Sequence, residues 1–357
     1  MMKKRTDITE EYLLDRIWGS LIGGALGDAL GYEVEFINWT AIKQEFGKKG
    51  ITELVTHGGN AIFSDDTQMT LFTVGAMIDG YKRRALGQQI DLTADCIYDG
   101  YLAWLQTQGY VGKGRWNGTC SELRDIPELN KQRAPGNTCL NALTSGRMGT
   151  PENPVNSSKG CGGVMRTAPL GFTDDWGSPL LGGARAGAVT HGHPGGWIPS
   201  GMIAEIVYRG IYQDEDSLEQ IILASLDSVL KTWGELEETE DFAGLIRRAV
   251  RLSHEDISDV KAIHSLGGGW TGDEALAIAV YSSLKHRDDP VAALICAANH
   301  SGDSDSTAAI TGNIMGAFLG GEAIPQEWIC RIEQLMLIRQ MSEELSALIY
   351  SGGDEGE

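Results

Sequence analysis

Two acidic turns hold the residue types from which chemistry could be built. Gly302-Asp303-Ser304-Asp305-Ser306-Thr307 places two carboxylates one residue apart among hydroxyls, and Ser64-Asp65-Asp66-Thr67 repeats the theme far upstream. Each turn runs into an apolar stretch, so each sits at the start of a predicted helix, where free amides and the helix dipole favour ionised carboxylates. Taken singly, either turn reads as an ordinary helix cap, because Ser, Thr and Asp are the preferred capping residues. If the fold brings them together, four carboxylates (Asp65, Asp66, Asp303, Asp305) and several hydroxyls converge. Such a cluster must stay partly protonated or hold cations, and its hard oxygen ligands suit magnesium, manganese or calcium rather than structural zinc.

The elements that must position these turns carry glycine ladders. From Leu13 to about Gly31 the pattern is helical, with Gly19, Gly23, Gly27 and Gly31 four residues apart on one stripe. Gly312, Gly316 and Gly320 repeat the spacing after the second turn. A glycine inside a helix costs about 1 kcal/mol relative to alanine, so the stripes point to helices in close backbone approach, carrying Asp28 to Glu35 toward the acidic turns. Gly23-Gly24-Ala25-Leu26-Gly27 lacks a preceding strand and the spacing of a dinucleotide fingerprint.

Further helices are expected over residues 68–81, 92–107, 137–147, 200–212, 217–232 and 242–253, with loop over 32–63 and irregular chain through most of 109–158. An irregular segment that long suits a lid or binding loop. Strand signals are few, and the fold class is all-α. The expected division is an N-terminal extension over 1–14, one domain over 15–350 and an acidic tail over 351–357.

Three other stretches carry polar chemistry. The glycines of Ser158-Lys159-Gly160-Cys161-Gly162-Gly163-Val164-Met165-Arg166 could form an anion-binding nest with Lys159 and Arg166 adding charge, or could simply let helices pack. His191-Gly192-His193 is weak as a zinc pair and equally suits imidazoles bonded to substrate or backbone. Thr271-Gly272-Asp273-Glu274 matches a capping box, and Gly267-Gly268-Gly269-Trp270 in front of it could line a pocket with the flat face of Trp270, a packed indole being the default reading. The acidic run Glu235, Glu237, Glu238, Glu240, Asp241 reads as solvated surface.

A formal net charge of −20 over 357 residues argues against nucleic-acid binding, which needs clustered Lys and Arg. The six cysteines are scattered without a Cys-x-x-Cys pair, which suits reduced thiols in a cytoplasm. Acidic residues interrupt the N-terminal apolar segment, so neither an export signal nor a membrane span is expected.

Gly27-Asp28-Ala29-Leu30-Gly31 with Glu35, Ser64 to Thr67, Ser158 to Pro169, Thr190-His191 and Gly302 to Thr307 together resemble the ADP-ribosylglycohydrolase family, in the family's order and over nearly the whole chain. The resemblance implies a compact orthogonal all-α domain with two Mg²⁺ or Mn²⁺ ions that hydrolyses the bond joining ADP-ribose to a protein side chain or small acceptor. It implies Ser64, Asp65, Asp66, Asp303, Asp305 and Ser306 as metal ligands, and Glu35 as the residue that approaches substrate. Ser158 and the glycines after it would cradle the ADP-ribose phosphates, with Gly160, Cys161 and Gly162 in that loop and His191 touching substrate. Ser64 and Ser306 stand where threonine is common, Cys161 where some members carry asparagine, and Glu33 where proline is frequent.

The mechanism expected from these residues has two cations clamping ribose hydroxyls and orienting a water, while a carboxylate, Glu35, exchanges the proton. Asp303 and Asp305 count as catalytic for that reason. Arginine is the favoured acceptor, so the expected partners are an ADP-ribosylated protein and ADP-ribose. The alternatives are a different binuclear nucleotide hydrolase, or an immunity-type binding protein that blocks an ADP-ribosyltransferase.

Overall fold

The structure is a computed structural model that describes residues 8–213 and 217–352. Part of the expected N-terminal extension (1–7) and most of the expected acidic tail (353–357) lie outside the described residues. The helices are α1 (Glu10–Tyr32), α2 (Trp39–Phe46), α3 (Asp65–Ala85), α4 (Tyr98–Thr107), α5 (Ser121–Arg124), α6 (Asn137–Thr144), α7 (Pro179–Ala188) and α8 (Pro194–Tyr212). They continue with α9 (Leu218–Trp233), α10 (Glu237–Ser253), α11 (Asp259–Leu266), α12 (Gly272–Lys285), α13 (Pro290–Ala298), α14 (Ser304–Leu319), α15 (Gln326–Ile329) and α16 (Leu335–Gly352). Among the described residues only isolated β-bridges occur and no strand forms, in agreement with the all-α expectation. No helix of the described residues is long and apolar enough to cross a membrane.

The centre of the molecule is the antiparallel pair α1 and α14. A Cβ added at Gly19 or at Gly23 would lie 2.5 Å from the carbonyl oxygen of Gly316 or of Gly312, and one at Gly27 or Gly31 would fall closer still to the carbonyls of Ala308 and Ser304. The stripe Gly19, Gly23, Gly27, Gly31 therefore faces Gly316, Gly312, Ala308, Ser304 in register, backbone against backbone. Gly320 ends that face, its carbonyl carbon 2.6 Å from a Cβ added at Gly19. It caps α14 at φ +90°, where a Cβ would run into the Asp15 carboxylate, which accepts from the Glu322 amide at 3.1 Å. Most of the apolar remainder of both helices is buried, with Ile17, Ile22, Leu26 and Leu30 of α1 inaccessible to solvent. The close pairing thus fixes the axial position of Ser304 and Asp305 against Gly31.

Several elements differ from the sequence expectation for local reasons. The segment expected as loop between 32 and 63 contains α2, capped by Asn38, whose side chain accepts from the Ala41 amide. α8 begins at Pro194 rather than near 200, because Pro194 occupies the first turn where its missing N–H is harmless. Burial of Trp197, Ile198 and Met202 then holds Pro199 in the same helix. α10 starts inside the acidic run, since Glu237, Glu238 and Glu240 occupy its first turn, where the helix dipole favours them. The capping box at α12 does not form. The Thr271 hydroxyl donates to Asp273 instead, while Glu274 accepts from the Gly268 amide at 3.1 Å and so braces the loop that carries Trp270. All six cysteines are free thiols.

Candidate active site

The two acidic turns meet. Ser64 caps α3, its hydroxyl accepting from the Asp66 amide at 3.2 Å, and Asp65 and Asp66 form the first turn. Asp303 caps α14, accepting from the Ser306 amide at 3.2 Å, and the same amide donates to Asp305 at 2.9 Å. Asp28, on the glycine-lined face of α1, accepts from the Ser64 amide at 2.8 Å, the Thr67 amide at 2.9 Å and the Thr67 hydroxyl at 2.5 Å. Asp28 is therefore the brace that orders the turn opening α3, and the glycine contact is what brings it there.

Glu35 projects into the same space, and one carboxylate oxygen from each of Glu35, Asp303 and Asp305 lies within 4.8 Å of the other two. The cleft these groups line has a volume of about 470 Å³. Asp65, Asp66, Ser306, Gly160, Cys161, Gly162 and His191 line it as well. Ser64 and Ser158 stand just behind the wall: the Ser64 side chain helps to stabilise ionised Asp305, and the Ser158 hydroxyl accepts from the Gly160 amide at 3.3 Å. The chain thus brings together every residue expected to act, ten of them facing the cleft directly and two supporting it.

Burial dominates the electrostatics. It pushes the carboxyls of Asp65, Asp66 and Asp303 well above their ordinary range, with Asp305 adding repulsion to each. Asp28 rises to about 7 and Glu35 to about 11, first through burial and then through Asp305. Arg133 does not neutralise the cluster, because its guanidinium is committed to the buried Glu333 carboxylate and the Phe63 carbonyl. Two buried oxygens, Asp66 Oδ2 and Glu35 Oε2, have no hydrogen-bond partner. Unpartnered carboxylate oxygens at this depth are costly unless protonated or bound to cations, and an all-oxygen set of carboxylates and hydroxyls fits Mg²⁺ or Mn²⁺.

The linkage has a definite sign. A carboxyl whose pKa is raised on folding holds a proton that the unfolded chain has already released, so its contribution is intact below the unfolded value and is lost as pH rises toward the folded one. Chelator-stripped protein should therefore lose stability between pH 4 and pH 8, by up to about 4 kcal/mol for Asp28 alone, at 1.36 kcal/mol per pKa unit. Thermal unfolding at pH 5 and pH 8 checks this, with added Mn²⁺ expected to restore the loss at pH 8 and to matter little at pH 5. A stripped protein with flat pH dependence and no response to metal would contradict the cation-holding role.

The glycine-rich loop behaves only partly as expected. The Gly160 amide is used by Ser158 Oγ and the Cys161 amide by the Trp270 carbonyl at 3.2 Å, so these two amides do not form an open nest. Cys161 points its thiol at Asp303 Oδ2, 2.8 Å away, at the edge of the cleft. Arg166 adds no charge to the loop. It is completely buried, lies over the Tyr101 ring at 4.2 Å and donates to Cys139 Sγ and to Thr190 Oγ1 at 3.1 and 2.6 Å.

That buried arginine sets the state of His191. Because Thr190 Oγ1 accepts from Arg166, its own proton goes to His191 Nδ1, 2.8 Å away. The Nε2 nitrogen then carries the ring proton and faces the Gly160–Gly162 loop, the tautomer being assigned from this network. Burial, followed by Arg166, lowers the His191 pKa to about 3, so the ring is a neutral donor throughout the physiological range. His193 does something else: it caps α8, accepting from the Gly195 amide at 3.0 Å. The His-x-His pair is not a shared metal site.

Two parts of the cleft are only loosely legible in the sequence. Of the two readings of Trp270 the pocket-lining one holds and the packed indole does not: it is 47% exposed and stacks on Phe36, itself 70% exposed, with ring centroids 6.4 Å apart. Both line the mouth beside Glu35. The segment from Ala134 to Cys139 also lines the cleft, with the Gly136 amide donating to Asp65. Its only signal was the length of the irregular region around it.

Fold and site together define an all-helical protein built around a buried carboxylate centre supplied by two helix N-termini. The chain belongs to the ADP-ribosylglycohydrolase family, whose profile matches residues 9–355. It is 23% identical over 358 residues to the ADP-ribosylarginine hydrolase Tri1 of Pseudomonas putida (strain GB-1), covering 97% of this chain and 81% of that protein. It is 24% identical to the ADP-ribosyl-dinitrogen reductase glycohydrolase of Rhodospirillum rubrum, covering 95% and 97% of the two chains. Among solved structures, an ADP-ribosylglycohydrolase-related protein complex superposes with a TM-score of 0.61 at 20% identity, over 95% of this chain and 99% of that one, which supports the fold.

Proposed function

We propose that this protein is a divalent-metal-dependent hydrolase that removes ADP-ribose from modified protein side chains, with arginine as the favoured acceptor. The observation that carries the reading is the convergence of Asp65, Asp66, Asp303, Asp305 and Glu35 in one cleft, with two buried carboxylate oxygens lacking any partner. Ser64, Asp65, Asp66, Asp303, Asp305 and Ser306 would hold two Mg²⁺ or Mn²⁺ ions. When bound, such ions supply charge to fix ribose hydroxyls and lower the pKa of a coordinated water.

The chain's own groups supply the rest. The loop bearing Ser158, Gly160, Cys161 and Gly162 lies where the pyrophosphate would lie, and the neutral His191 Nε2–H offers it, or a ribose hydroxyl, a donor without added charge. Hydrolysis breaks the bond between the ribose anomeric carbon and the acceptor nitrogen, places a water-derived hydroxyl on that carbon and returns a proton to the nitrogen. Glu35, with a raised pKa and a buried Oε2 that no hydrogen bond occupies, is suited to hold and deliver that proton. The stacked Phe36 and Trp270 faces beside Glu35 favour a flat cation such as guanidinium over a serine hydroxyl, and two relatives of the chain carry names that specify ADP-ribosylarginine or an ADP-ribosylated protein.

The test is a metal-replete assay across ADP-ribosyl-arginine, ADP-ribosyl-serine and simple phosphate esters. Turnover of the arginine linkage is expected, and preference for phosphate esters would replace this reading with a nucleotide phosphoesterase. Trp270→Ala should lower kcat/KM for the arginine linkage by about tenfold, the worth of one desolvated cation–π contact. An equal loss on every linkage would remove the aromatic pair from acceptor selection.

A further inference from the structure

Away from the cleft, three helices bring together a carboxylate, an imidazole and a thiol. Asp259 opens α11, His286 caps the C-terminus of α12 and Cys296 lies on α13. One ligand atom of each lies within 4.8 Å of the other two, and none of the three lines the acidic cleft. His286 Nε2 is shut off from solvent and makes no hydrogen bond. Its neighbour Asp259 Oδ2 is 3.7 Å away, beyond hydrogen-bond reach. That separation is close to the edge of a coordination tetrahedron, since nitrogen and oxygen ligands about 2.0–2.1 Å from one zinc ion stand roughly 3.4 Å apart.

The surroundings hold the ligands in that arrangement. The Tyr281 hydroxyl donates to Asp259 Oδ1 at 2.7 Å, which leaves Oδ2 turned to His286, as outer partners orient metal-bound carboxylates. Ser282, fully buried beside the Cys296 thiol, has no hydrogen-bond partner for its hydroxyl. Cys296 itself is only 5% exposed, whereas the Asp259 and His286 side chains keep 37% and 29% of their surface open. The site therefore lies just under the surface, with the ligand atom Nε2 turned inward and the remainder of the His286 and Asp259 side chains reaching solvent. A mixed sulfur, nitrogen and oxygen set selects borderline-soft cations, in contrast to the all-oxygen cleft.

We propose that Asp259 Oδ2, His286 Nε2 and Cys296 Sγ bind one thiophilic divalent cation of the zinc class, tying α11, α12 and α13 together outside the active cleft. Binding replaces the thiol proton of Cys296, which leaves to solvent, by a sulfur–metal bond, with no change of oxidation state.

Cobalt(II) is the probe, added to chelator-stripped full-length protein with Mg²⁺ in excess so that the oxygen-lined cleft is filled. A thiolate-to-cobalt charge-transfer band should grow to one equivalent and be bleached by zinc. The band should vanish in Cys296→Ser, weaken at least tenfold in cobalt affinity in His286→Ala, and persist in Cys161→Ser, which removes the thiol beside Asp303. No band in the wild-type protein, a band that survives Cys296→Ser, or one lost in Cys161→Ser would each overturn the proposal. His286→Ala changes a partly exposed helix cap and keeps the test decisive should Cys296→Ser fail to fold.

Discussion

Asp303→Ala combined with Asp305→Ala should reduce release of ADP-ribose from a modified protein by at least about a thousandfold, the scale on which loss of a preorganised charge-stabilising group is felt. Asp303 caps α14 and Asp305 lies in its first turn, buried at 4% and 3% exposure, so their loss removes two of the carboxylates that line the cleft with Asp65 and Asp66. The effect on stability should be of the opposite kind. Removing the Asp303 cap costs roughly 1 kcal/mol, but removing two carboxylates also relieves the repulsion that raises Glu35, Asp65 and Asp66. In metal-free buffer at pH 8 the double variant should unfold at or above the wild-type temperature while being inactive. Full activity in this variant would refute the assignment of the centre. Protection against an ADP-ribosyltransferase by a variant lacking Asp65, Asp66, Asp303 and Asp305 would favour the immunity-type binding role over turnover.

The parts of this architecture that were legible in the sequence are those where a local rule and the tertiary structure agree. Ser64 and Asp303 are helix caps by residue type and are helix caps in the structure; residue types leave the meeting of the two turns conditional, the glycine stripes point only to close helices that carry Asp28 to Glu35 toward them, and the family resemblance is what implies a shared centre. The stripe was only half visible, since Ala308 and Ser304 complete it without being glycine. Arg166 misled because charge beside glycines suggests an anion site, whereas Cys139, Thr190 and the Tyr101 ring satisfy the guanidinium inside the core. Thr271 and Glu274 carry a capping pattern, yet the loop before α12 needs Glu274 to hold the Gly268 amide, and that demand wins. Phe36 and Trp270 could not be paired from sequence because nothing local encodes which loops share a cleft mouth.

Gly316→Leu, or equally Gly23→Leu, should destabilise the protein by more than ~4 kcal/mol, a size reserved for mutations that clash with structure unable to move. Ordinary overpacking costs about 1–3 kcal/mol because side chains can shift into other rotamers. Here the obstacle is peptide backbone: a Cβ at Gly23 already meets the Gly312 carbonyl at 2.5 Å, and one at Gly316 would overlap the Gly19 carbonyl. Even alanine must push α1 and α14 apart. Gly244 is the control, since it is exposed on α10 and a Cβ there meets nothing within 4 Å. Gly244→Ala should stabilise by up to about 1 kcal/mol through helix propensity alone. Circular dichroism melts of the pair distinguish the cause, because a general intolerance of glycine replacement would lower both. The consequence reaches the chemistry, for the Gly31 contact with Ser304 and Asp305 is the last rung of the same stripe. A milder Gly27→Ala variant that still folds should therefore displace Asp28 from the turn of α3 and weaken Mn²⁺ binding before it abolishes the helical fold, and unchanged Mn²⁺ affinity in that variant would separate the stripe from the site.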